Sequence, residues 1–166
     1  MIQISDEALK QAAGQGMDEF IKVFTDKYRE VIGGDDVTPE TMGLLSGEQH
    51  SLLAYQIFRD EVMVGGFCQL IQNGYGGYIF DNPFAKVMRL WGAADFSKLV
   101  YSAKKIYDAN REDLEKERTD DEFMAMYEEY EAFDDLEEAF LDMEEEVSTI
   151  VATYVDEHLE LFGEIV

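Results

Sequence analysis

The side chains able to do chemistry in this 166-residue chain are overwhelmingly carboxylates, with 37 Asp and Glu against 13 Lys and Arg, two His and one Cys. So few His and Cys leave little room for metal or nucleophilic chemistry. A di-iron carboxylate centre needs Glu-x-x-His pairs, but Gly47 and Val155 stand three residues before His50 and His158. No EF-hand loop with its D-x-D-x-D-G pattern is present. Glu144–Glu146 is a weak calcium candidate, because adjacent helix positions point in different directions. Cys68 lies in an apolar helical stretch, where a lone thiol acts as packing. The run Gly74-Tyr75-Gly76-Gly77 matches neither a phosphate loop nor a dinucleotide fingerprint, and no Ser/His/Asp arrangement can be assembled. The sequence therefore predicts no enzyme, no catalytic residue, no cofactor and no metal. The enzymatic reading that remains uses Glu61 with a neighbouring His in a polar cleft.

The carboxylates are unevenly distributed. From Thr119 onward the chain carries 18 Asp and Glu and no Lys or Arg, which is most of the formal net charge of −24. Like charges three or four residues apart on a helix destabilise it by about 0.2–0.5 kcal/mol per pair, so such a run either meets something cationic or is tolerated for solubility. Net −24 argues against direct contact with nucleic acid or anionic lipid, which it repels. At 46% hydrophobic and 13% aromatic, the chain has ample core material and is not a disordered acidic tail. The single Cys, the lack of a secretory n- and h-region in MIQISDEALKQ, and the absence of any apolar run of roughly 20 residues predict a cytoplasmic protein.

Periodicity places these residues on helices. Leu9, Ala13, Met17, Phe20, Ile21, Phe24, Tyr28 and Ile32 predict one N-terminal helix over about 5–32, ended by Gly33-Gly34. Thr38-Pro39 and Asn82-Pro83 both read as N-cap and first helical position. Ser46 with Gln49 forms a capping box for an apolar helix over 47–63. Gly65-Gly66 bends that helix, and a short helix follows to Gln72. Residues 73–80 (NGYGGYIF) read as a glycine- and aromatic-rich loop, followed by helices around 84–91 and 96–109. REDLEKER (111–118) reads as a solvated helix or linker, and Thr119 with Glu122 as a second capping box. The expectation is an all-α, single-domain bundle of six to eight helices over 1–166, with a strongly acidic C-terminal helical pair.

The acidic segment is amphipathic at about 100° per residue. Leu136, Phe140, Met143, Val147, Ile150, Val151 and Tyr154 share one stripe, and Asp135, Glu138, Asp142, Glu145 and Glu146 share the opposite one. The apolar phase changes before Phe133, predicting a break near Phe133–Asp135. Residues 119–146 hold 14 acids in 28 residues, one charge per roughly 3 Å of helix. Double-stranded DNA carries one per about 1.7 Å of axis, so two such helices side by side approach a duplex. The candidate partner-binding residues are Asp120, Asp121, Glu128, Glu131, Asp135, Glu138, Asp142, Glu145 and Glu146.

The stretch EVMVGGFCQLIQNGYG (61–76) resembles the signature E-V-N-N-G-G-F-x-Q, followed by two aromatic or apolar residues and x-N-x-x-G, of a bacterial DNA-mimic protein family, an all-helical domain of otherwise unknown function. Glu61, Val62, Gly65, Gly66, Phe67, Gln69, Asn73 and Gly76 match it, while Met63 and Val64 replace its paired asparagines. The resemblance spans about 46–158. It implies an all-α protein whose acidic surface occupies the DNA-binding face of a helix-turn-helix transcription factor, relieving repression, or contacts a nucleoid protein. From the residues themselves, Glu61, Gln69 and Asn73 are expected to hydrogen-bond backbone exposed by the Gly65-Gly66 bend.

Two functional readings follow. In the first, a non-enzymatic regulator, monomer or homodimer, binds a basic DNA-binding protein through the acidic helices. In the second, a small binding or adaptor module uses Tyr75, Tyr78 and Phe80 of residues 73–80 as anchors, and the acidic face serves only solubility.

Overall fold

A computed structural model describes residues 1–166. In chain order the elements are β1 (Gln3–Ile4), α1 (Asp6–Gln15), α2 (Met17–Ile32), α3 (Gly47–Gln72), α4 (Gly76–Phe80), α5 (Phe84–Leu90), α6 (Ala94–Leu114), α7 (Asp120–Glu129), α8 (Asp134–Glu157), α9 (Leu159–Phe162) and β2 (Glu164–Ile165). Short 3-10 turns occupy Met42–Leu44 and Glu131–Phe133. The protein is all-α apart from the two short strands, and no helix is long and apolar enough to cross a membrane.

Several elements depart from the periodicity reading. The predicted 5–32 helix is two helices, because Gly16 at φ +146° breaks the phase between α1 and α2. Ala12 rather than Ala13 is buried, and Met17 is exposed. Thr38-Pro39 opens a turn, not a helix, since the Thr38 N–H donates to Thr41 Oγ1 at 2.9 Å. Helix α3 starts at Gly47 behind the Ser46–Gln49 box, as expected. Asn82 does not cap α5, because its side-chain amide donates back to the Tyr78 carbonyl. The predicted loop over 73–80 contains helix α4, and the first half of the REDLEKER segment is the end of α6. The break in the acidic region falls at Tyr130–Phe133, slightly before its predicted place.

Cα proximity groups the chain into two units, Met1–Gln56 with Glu146–Val166, and Ile57–Glu145. In the first, α2 buries Phe20, Ile21, Phe24 and Tyr28. The Tyr28 hydroxyl donates to the Phe162 carbonyl at 2.6 Å, satisfying a phenol with no solvent exposure. Strands β1 and β2 pair in parallel, Gln3 opposite Glu164 and Ile4 opposite Ile165.

The second unit is built on aromatic rings. Phe58 meets Phe67, Phe96 and Phe140 edge to face at centroid distances of 5.5, 5.1 and 5.0 Å, an arrangement the ring quadrupoles favour. Phe67 also stacks on Phe133 at 5.0 Å. This cluster fixes α3, α6 and α8 relative to one another around the bend in α3.

Candidate acidic binding surface

The bend in α3 is where α7 and α8 both make hydrogen bonds to that helix. Gly66 has φ +71° and ψ −168°, a region open essentially to glycine alone. The bend frees backbone groups on both sides, and neighbouring helices satisfy them. The Tyr127 hydroxyl of α7 donates to the Gly65 carbonyl at 2.8 Å, and the Phe67 N–H donates to Glu137 Oε2 of α8 at 2.8 Å. Glu137 thereby caps the second half of α3 as an N-cap carboxylate does. A Cβ on Gly66 would lie 2.2 Å from that same oxygen.

Glu61, Gln69 and Asn73 do not hold this backbone, contrary to the sequence expectation. Gln69 and Asn73 both donate to Glu61 Oε2, at 2.7 and 2.9 Å. The three form a polar clasp across the bend, because Glu61 precedes it and the two amides follow it by one and two turns. Gly76 supplies a close approach, since a Cβ there would lie 2.7 Å from the Tyr107 ring. Phe67 anchors the motif in the core.

Burial raises the Glu137 carboxyl above the usual range; the Phe67 N–H opposes the shift and Asp134 adds to it. Burial, then Glu137, pushes the Cys68 thiol up to about 12, so it is an inert thiol at neutral pH. No group of three or more His, Cys, Asp or Glu is arranged to hold a metal ion.

The nine candidate contact residues, Asp120, Asp121, Glu128, Glu131, Asp135, Glu138, Asp142, Glu145 and Glu146, are all solvent-exposed. Two acids excluded from the α8 rail by angle point elsewhere. Glu137 grips the bend, and Glu144, only 7% exposed, receives the Arg59 Nε at 2.5 Å. The signal for both was present in the sequence, since they sit on the border between the apolar stripe and the rail. Their partners were not legible, because Arg59 and Phe67 lie some 70 to 85 positions away.

The start of the acidic region is fixed by a second cluster. The Thr119–Glu122 capping box is present in full. Thr119, through its backbone N–H and then its side chain, lowers the pKa of the Glu122 carboxyl. Arg118 is not solvated. Its side chain is 7% exposed and donates to the Asp113 carbonyl at 2.6 Å, with the Asp113 carboxylate 3.0 Å away. The Tyr130 hydroxyl donates to that same carboxylate, closing a link between the end of α6 and the end of α7.

Residues 43–158, more than half of the chain, match the family described as DMP19-like protein. The chain belongs to the DMP19-like family. A curated relative, the "DNA mimic protein DMP19" of Neisseria meningitidis serogroup B (strain ATCC BAA-335 / MC58), is 40% identical over 76 residues. That alignment covers 46% of this chain and 46% of the relative, so the chain spans about half the length of the curated relative it matches. The DMP19-like match takes in the bend, its clasp, α7 and all of α8.

Only one of the three rival anchors is buried. Phe80 is 2% exposed and packs 4.9 Å from Tyr107, while Tyr75 and Tyr78 are half-buried. Glu61 is engaged by the two amides. His50 Nε2 lies 2.7 Å from the Met42 carbonyl, and His158 Nδ1 2.8 Å from the Tyr154 carbonyl.

Proposed function

We propose that this DMP19-like protein is a non-enzymatic regulator whose acidic helices occupy the DNA-binding surface of a basic protein, such as a helix-turn-helix transcription factor or a nucleoid protein. The observation that carries the reading is the set of nine exposed carboxylates on α7, α8 and the turn between them, in a segment without a single Lys or Arg. Along each helix, residues on one face repeat every 5–6 Å. Lys and Arg that grip phosphates can meet carboxylates at such a repeat. Membership of a family whose curated relative bears the name DNA mimic supports the same reading.

Binding of this kind is fast, electrostatically steered and weakened by salt. The test is capture of partners from host lysate at low salt, followed by a salt gradient and competition with duplex DNA. Recovery of one or two DNA-binding proteins that duplex DNA displaces supports the proposal. Recovery of a neutral partner that survives high salt refutes it.

A further inference from the structure

The basic side chains of this acidic protein gather in one stretch. Residues 84–105, which comprise α5, the turn after it and the first part of α6, hold Lys86, Arg89, Lys98, Lys104 and Lys105 against one acid, Asp95. Lys86 and Lys104 line an open pocket of about 380 Å³ formed by the end of α4, residues 81–83, the start of α5 and residues 100–104 of α6. That volume falls within the range of small-molecule sites, about 300–1,000 Å³.

The lining combines apolar walls with positive charge. Ile79, Phe80, Ala85 and Val100 are core residues, none more than 6% exposed. Tyr101, at 41% exposed, adds an aromatic ring. The one carboxylate in the lining, Asp81, is already taken, because Arg111 donates to both of its oxygens at 3.0 and 2.7 Å. Lys86 makes no ion pair or hydrogen bond, and its flexible four-carbon stem lets the ammonium follow a ligand. Lys104 donates to Asp108 Oδ2 at 2.6 Å, but this is an exposed i,i+4 pair, the kind that contributes little and yields to a better acceptor. The walls are fixed in advance. The buried Ser97 hydroxyl donates to the Ala85 carbonyl at 2.6 Å, joining α6 to α5, and the Asn82 amide donates to the Tyr78 carbonyl at 3.0 Å. A preformed site loses little free energy to ordering when it binds.

We infer that this pocket binds a small apolar monocarboxylate, with its hydrocarbon body against Ile79, Val100 and Tyr101 and its carboxylate met by Lys86 and Lys104. The sign of the ligand follows from the lining, where both uncommitted charges are ammonium groups and the carboxylate is neutralised. A single charge suits a chain of net −24, whose field repels multiply charged anions more strongly. The volume fits one ring system with a short acid arm and is too small for several residues of a peptide. The pocket and the acidic surface are separate sites, so either reading stands or falls without the other.

The test titrates the isotope-labelled full chain with naphthaleneacetate, with its neutral counterpart naphthylethanol, and with acetate, following backbone amide signals by NMR. Naphthaleneacetate is expected to shift signals of residues 79–86 and 100–104 and to bind about tenfold tighter than the alcohol. Acetate, which lacks the apolar body, is expected to give no saturable shift there. Lys86→Ala, at an exposed position, is expected to reduce affinity for the acid toward that of the alcohol. An unchanged alcohol affinity in that variant shows that the pocket is intact. Tyr101→Ala is expected to weaken both aromatic probes. Equal binding of acid and alcohol to the unaltered chain, or acid binding untouched by Lys86→Ala, overturns the carboxylate assignment. Shifts confined to other residues, or no shift with any probe, overturn the site itself.

Discussion

Gly66 carries a conformational requirement and a steric one at the same place. Its φ of +71° excludes other residues, and a Cβ would collide with Glu137 Oε2 at 2.2 Å. Gly66→Ala is expected to destabilise the fold by about 1–3 kcal/mol from backbone strain alone, read as a lower urea midpoint with unchanged slope. Glu137 is the other half of the bend. Removing its acceptor in Glu137→Ala leaves the buried Phe67 N–H unsatisfied and is expected to cost about 1–3 kcal/mol. Glu137→Gln keeps an acceptor oxygen and is expected to fold well. Its effect shows in pH dependence. The folded carboxyl titrates above its unfolded value, so the folded state holds a proton that the unfolded chain releases. Stability from this group falls as pH rises from about 4.3 through the folded value. Urea titrations across that window are expected to show this decline in the unaltered chain and not in Glu137→Gln.

At the scale of elements, α7 is held at both ends, by the Thr119–Glu122 box and by the Tyr130–Asp113–Arg118 link. Tyr130 is the largest cause lowering the pKa of the Asp113 carboxyl. Tyr130→Phe is therefore expected to move the Asp113 titration, followed by carboxyl NMR, back toward the ordinary carboxylate range. The stability that this depressed carboxyl contributes is present above its unfolded value and lost as pH falls through its folded value, and the substitution diminishes it. Amide exchange in the last turn of α7 is expected to accelerate in the same variant. The helices themselves were largely legible in the sequence, because Phe20, Phe24 and Tyr28, or Phe140 and Val147, repeat at helical spacing. The two capping boxes were legible because both partners lie three residues apart. What periodicity missed depended on single backbone angles, as at Gly16, or on long-range partners. No local pattern reveals that Arg118 is buried against Asp113, or that the glycine-rich stretch after Asn73 coils into α4 against Tyr107. The outward carboxylates of α8 followed from helix phase alone, whereas the contacts of Tyr127 and Glu137 with the bend in α3 did not.

For the whole molecule, charge governs stability and binding with opposite sign. Residues 84–105 carry five Lys or Arg and one Asp, whereas Thr119 onward carries only acids. The chain is therefore polarised along its sequence, and mutual repulsion is concentrated at the acidic end. Added NaCl shortens the Debye length to about 10 Å at 0.1 M, so it is expected to raise the melting temperature while weakening partner capture. Converting Asp135, Glu138, Asp142 and Glu146 to Lys moves the net charge from −24 to −16, two units per residue. That variant is expected to lose partner binding while its helical circular dichroism and low-salt melting temperature are retained or improved. Affinity that survives the four reversals would remove α8 from the interface. The paired strands bear on a different property. Glu164 N–H donates to the Ile2 carbonyl at 2.8 Å, Val166 N–H to Ile4 at 2.9 Å, and Asp6 N–H to Val166 at 2.9 Å. Because β1 and β2 run in the same direction, a pull applied at residues 2 and 166 drags the strands past each other. The three hydrogen bonds are then loaded together in shear instead of being unzipped in turn. The short parallel ladder acts as a mechanical clamp, which must rupture before tension reaches α1 or α9.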